Sequence, residues 1–239
     1  MDDALQLRGK QLPALDRRFK QDPATSTVTF AKTFGWAAQV LGVPLPELYV
    51  RNDVAGALVA VPSSPPASVA GQTVLTGFTP QELTFIVGKH LSYYRGEHYI
   101  RNLFPTLNEL KVVLFSAIKL IMNDFAVPPE MAQAVNATAQ ELAKYMQPIQ
   151  RDGLRLVVQK FIEDGAKADL KRWMQAIDIT ACRAGLLLCA DLEIAKKIIV
   201  AEPQLPGDLP PPDKMKELLV FSVSEQYFTL RKALGIAVG

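Results

Sequence analysis

The sequence predicts an α+β fold, mainly helical with a small N-terminal sheet, and three observations carry that expectation. Short β-type runs separated by turn signals occupy residues 45–77. From residue 78 onward the apolar spacing is helical almost to the end. Capping and proline signals then mark where those helices begin and stop.

Residues 1–22 are charged with intermittent leucine, and 1–27 read as an arm or the end of a preceding segment. Residues 28–239 read as a single domain. Its first element is a helix over 28–42, stopped by Gly42 and Pro44. "ELYVRN", "GALVAVP" and "SVAGQTVL" follow as about three strands, divided by Asn-Asp, Pro-Pro and Gly signals. Thr79, Pro80 and Glu82 supply an N-cap, a proline in the first turn and the far side of a capping box. The helix they open is expected to run to residue 98. Further helices are expected at 107–124, 128–147, 148–163, 167–188 and 190–201. "EPQLPGDLPPPD", 202–213, reads as an extended surface connector. Helices near 213–221 and 224–234 close the chain.

With 239 residues, 49% of them apolar, the chain is long enough for a sizeable core. A net charge of +2 without like-charged blocks argues against nucleic acid as a partner. Cys182 and Cys189 fall on one helix, ~10 Å apart along its axis, beyond the ~7 Å reach of a disulfide. Both read as reduced core residues, which favours a reducing, cytoplasmic location. The apolar run 110–122 is too short to span a bilayer and carries Lys111 and Lys119. It reads as a buried helix, with membrane-surface contact as the alternative.

The stretch "FIVGKHLSYYRGEH" has the rhythm of a zinc-protease helix with the wrong residues in it. In H-E-x-x-H the two histidines lie one turn apart and grip a single Zn²⁺, while the Glu acts on the bound water. Here Lys89 holds the first ligand position, His90 the position of the Glu, and Tyr93 the second ligand position. An ammonium repels Zn²⁺, and a phenol is a poor ligand near neutral pH. His90 and His98, on a continuous helix, would be separated by ~12 Å of rise, too far to share a metal. There is no G-x-S-x-G elbow, phosphate-binding glycine loop or C-x-x-C pair.

"FTPQELTFIVGKHLSYYRGEH" nevertheless resembles the active-site helix of the zinc metallopeptidases that include the CAAX prenyl endopeptidases, HtpX and the mitochondrial protease Oma. His98 matches a further histidine found there. "AIDITACRAGLLLCADLEIAKKII" resembles the family's E-x-x-A-D-R-x-G helix. Asp178 stands at the position of its third ligand, Cys182 at that of the Asp, and Arg183, Ala184 and Gly185 are kept. "SEQYFTLRKALG" is similar to the closing segment, with Arg231 at its arginine.

The resemblance covers about residues 45–236 and implies a gluzincin-like fold. Because Lys89, His90 and Tyr93 replace the essential residues, it also implies a pseudopeptidase: a scaffold or protein-interaction domain with a protein or peptide partner, an extended peptide being expected in the former active-site cleft along a sheet edge, with no metal and no cofactor. The alternative is a hydrolase rebuilt on His90, His98 and Asp178. An ion pair from Lys89 to Asp178, capped by the Tyr93 hydroxyl, is the expected substitute for the metal; otherwise Lys89 points to solvent. Tyr94, Arg95 and His98 form either a recognition surface or the packed end of the helix. Arg183 and Arg231 are expected to tie helices together.

Overall fold

The computed structural model describes residues 15–54, 57–204 and 206–236. Its α+β architecture is a small N-terminal sheet followed by a helical body. The sheet, among the described residues, has four strands: β1 (Lys20–Gln21), β2 (Glu47–Arg51), β3 (Leu58–Val61) and β4 (Ala67–Gly71), in spatial order β1-β2-β4-β3. β2 and β4 run parallel, with Tyr49 opposite Val69, whereas β1 and β3 are antiparallel to their neighbours. Two differences from the sequence reading appear here. Lys20 and Gln21, inside the segment read as an arm, add the fourth strand; two residues are too few for an alternation to be visible. Residues 1–14 of that segment lie outside the described residues. The run "SVAGQTVL" also splits, because Gln72–Thr76 forms a helix, α2, directly after Gly71.

Helix α1 (Thr29–Leu41) precedes β2 and ends at Gly42, whose φ of 62° closes the last turn in the left-handed region. α3 (Pro80–Ser92) starts at the full Thr79–Glu82 capping box. Glu82 also meets Lys197 at 2.5 Å and is held down to about 2, through that hydrogen bond and the Thr79 amide. The predicted continuation of this helix to residue 98 does not occur. After Ser92 the backbone tightens to i→i+3 bonds, Tyr93 to His90 and Tyr94 to Leu91. Side chains take over the freed carbonyls, His98 Nδ1 on Ser92 O at 3.0 Å and Asn102 Nδ2 on Tyr93 O at 3.3 Å. His90 and His98 are therefore not two positions on one straight helix.

The body continues with α4 (Ile100–Leu103), α5 (Leu107–Ile121), α6 (Pro129–Tyr145), α7 (Pro148–Glu163), α8 (Leu170–Cys189), α9 (Leu192–Ala201), α10 (Pro211–Ser222) and α11 (Glu225–Ala233). α3 lies at the centre and feeds two cores. Leu83, Val87 and Leu91, at spacing i, i+4, i+8, pack with Phe30 and Phe34 of α1. Phe85, on another face, packs with Cys182, Leu186, Ile199 and Leu218.

Two glycines set how closely α3 meets α8. A Cβ at Gly88 would lie 3.1 Å from the Gly185 Cα and 3.1 Å from the Ala184 carbonyl oxygen. A Cβ at Gly185 would lie 2.8 Å from the Phe85 carbonyl oxygen. The backbones therefore touch, and the residues beside this crossing face each other at short range.

Candidate functional site

Lys89 follows Gly88 on α3, and Asp178 lies seven residues before Gly185 on α8. The close crossing brings Lys89 Nζ to 3.5 Å from Asp178 Oδ1, with both residues buried. The Tyr93 hydroxyl donates to the same oxygen at 3.0 Å. Two further charges complete the cluster. Lys214, in the first turn of α10, places Nζ 2.6 Å from Asp178 Oδ2. Glu202, at the end of α9, accepts from Lys89 Nζ. Two cations and two carboxylates balance, which meets the requirement that buried charge be paired.

Each partner shows in the ionisation of the others. Burial works against the charged forms of both Asp178 and Lys89. Asp178 is still held below the usual carboxylate range, by the charge of Lys89 and the hydrogen bond from Lys214. Lys89 is raised. Cys182 would favour the ammonium as a thiolate, but burial pushes this thiol up to about 12. At neutral pH it is uncharged, and Glu202 and Asp178 are what hold Lys89 protonated. Tyr93 is raised by burial and by the adjacent carboxylate, so it remains a donor.

The connector after α9 is fixed over this region. Gln175 Nε2 donates to Gly207 O at 2.9 Å, and Arg101 Nη2 meets Asp208 Oδ1 at 3.2 Å. That strapping delivers Glu202 at one end and Lys214 at the other. Neither was singled out from the sequence, although a signal existed. Glu202 is the C-cap of α9, and Lys214 sits in the first turn of α10. Both charges oppose the local helix dipole, so each needs a tertiary partner to be favourable.

His90 belongs to a different cluster. Its ring lies between Phe34 and Tyr94, with centroids 6.3 and 5.3 Å away, and burial lowers it to about 3. Nε2 is 2.8 Å from Ser68 Oγ on β4. Ser68 Oγ is 2.7 Å from the Tyr94 hydroxyl, which donates to Ala67 O at 2.6 Å. One placement of hydrogens fills all three contacts: Nε2–H to Ser68, Ser68 to Tyr94, and Tyr94 to Ala67. In that arrangement His90 has no lone pair toward Ser68 and cannot act as its base. Ser68 is also fully buried. The trio is a joint between α3 and the sheet, and sequence reasoning missed Ser68 because nothing local marks it.

The remaining expected residues are placed separately. Tyr94 is buried in that joint, so it offers no recognition surface. Arg95 is exposed and pairs with Glu97 at 2.7 Å. Arg183 reaches Glu217 at 3.0 Å and lies over the Phe221 ring. Arg231 is buried and donates to Leu187 O at 2.7 Å and to Ile236 O, tying α11 to α8. His90, His98 and Asp178 each answer to different partners. Among the described residues, no group of three or more His, Cys, Asp or Glu side chains is placed to hold a metal ion. Among those residues, too, no helix is long and apolar enough to cross a membrane. No protein-family model, curated protein or solved structure matches the chain.

Proposed function

We propose that this chain is a pseudopeptidase, a gluzincin-like frame that serves as a non-catalytic scaffold or interaction domain. The observation that carries the reading is the Lys89 ammonium, seated between Asp178 and Glu202. It stands where the resemblance to the metallopeptidases puts the first zinc ligand, and it repels a dication. The charge cluster then takes over the mechanical role of a metal, tying α3 to α8, α9 and α10 without activating water. The reduced, buried Cys182 and Cys189 suit a reducing compartment, the cytoplasm in this reading.

The partner is an extended peptide or protein segment added along β3. Among the described residues β3 pairs with β4 on one side, and Val59 at its centre is 55% exposed. Such addition uses backbone hydrogen bonds and needs no metal. A peptidase assay on the purified chain, with Zn²⁺ added and with chelator, is the test. The expected result is no cleavage in either condition. Cleavage that appears with Zn²⁺ and is abolished by chelator would overturn the proposal.

A further inference from the structure

Helix α5 is more apolar than its surroundings require. From Leu110 to Ile121 it reads "LKVVLFSAIKLI", interrupted only by Lys111, Ser116 and Lys119. The apolar positions of such a helix are normally covered by neighbouring elements. Here Leu110, Ser116 and Ile118 are buried, while Val112, Val113, Leu114, Phe115 and Ala117 are half-buried.

Two cavities account for the difference. The first, about 470 Å³, runs along the face carrying Leu107, Lys111, Leu114, Phe115 and Ile118. These positions run from Leu107 to Ile118, ~16 Å of helix. Phe125 and Phe161 form part of the opposite wall. The second, about 460 Å³, lies between α5 and Trp173 of α8. Both are lined by Leu114, Ala168, Asp169 and Leu170. They therefore adjoin at Leu114 as an apolar trough, each part of the size that holds small ligands.

Its charge leans positive, with Lys111 and Lys171 against the carboxylate of Asp169. Lys111 and Lys171 both line the first cavity, and both are exposed without a carboxylate partner among the described residues. The Asp169 carboxylate on the same lining is engaged in capping α8, where it accepts the Arg172 amide at 2.9 Å. An apolar trough with two ammonium groups on its wall matches a ligand with a long hydrocarbon body and one anionic head. A neutral chain would leave the lysines unused.

We propose that the trough binds a long-chain fatty carboxylate, with the chain along α5 and the head between Lys111 and Lys171. The test uses the full chain and sub-micellar oleate, followed by displacement of a fluorescent fatty acid. Saturable binding is expected, weakened about tenfold for oleyl alcohol, the size of one lost charge-assisted contact, and by more than that for the Lys111→Glu/Lys171→Glu variant, which removes both ammonium groups and adds two carboxylates. Ala168 is exposed and lines both cavities, so Ala168→Trp should block binding while leaving thermal unfolding unchanged. Absence of saturable oleate binding would overturn the proposal. Equal affinity for the alcohol, or binding untouched by both variants, would do the same. Pelleting with phosphatidylglycerol vesicles without binding of monomeric oleate would assign the surface to membranes instead.

Discussion

Replacing Asp178 with leucine is expected to lower the unfolding free energy by about 3–5 kcal/mol, the usual cost of removing one partner from a buried ion pair. The variant leaves the Lys89 and Lys214 ammonium groups inside with Glu202 as the carboxylate within reach, and both lysines are almost inaccessible. Urea unfolding followed by circular dichroism measures the loss. The control that separates charge from packing is Lys89→Met/Asp178→Leu/Glu202→Gln/Lys214→Met. Removing the whole cluster should restore most of the stability, because well-packed apolar replacements of buried pairs are often neutral.

The pH dependence has a fixed sign. A carboxylate held below its ordinary value stabilises the fold above the unfolded pKa of about 4 and loses that contribution as pH falls through the lowered value. Asp178 is such a group, so the native protein should weaken below about pH 4, and Asp178→Leu should flatten that limb. Lys89 is raised, so its contribution is complete below about 10.4 and disappears in more alkaline solution.

The second large effect is expected at the helix crossing. Gly185→Ala should destabilise by about 1–3 kcal/mol, the usual cost of overpacking. The new methyl would meet the Phe85 carbonyl at 2.8 Å and the Phe85 ring at 2.9 Å. Alanine in a helix interior is otherwise preferred to glycine by roughly 1 kcal/mol, so a net loss reports the clash. Moving α8 away from α3 also lengthens the Lys89–Asp178 contact. Gly185→Ala combined with Asp178→Leu should therefore cost less than the two losses added, since both act on one network. Strict additivity in the same urea series would show that the crossing does not position the charges.

The parts of this fold legible in the sequence were those with local causes. The Thr79–Glu82 capping box and the Gly42 stop act within a few residues, and the helices they bound appear close to where those signals put them. Pro211 and Pro212, by contrast, read as part of the connector but form the first turn of α10. The end of α3 had no such local cause. It depends on Tyr94 docking on β4 and on His98 and Asn102 folding back to the carbonyls, contacts between residues that sequence spacing does not relate. The candidate site divides in the same way. Lys89, Tyr93 and Asp178 were picked out by position within two motif-like stretches, and the expected contacts between them are present. Glu202 and Lys214 come from either end of a connector whose path is set by Arg101 and Gln175. Their unfavourable placement at helix ends was visible, but their partners were not.

In the proposed pseudopeptidase, Lys89 occupies the position of a metal ligand. Anomalous scattering at the zinc edge, from crystals of metal-free protein soaked in Zn²⁺, tests it most directly. No peak is expected between α3 and α8, with Lys89 still within ion-pair distance of Asp178. A zinc ion bound there, with the Lys89 side chain displaced, would contradict it.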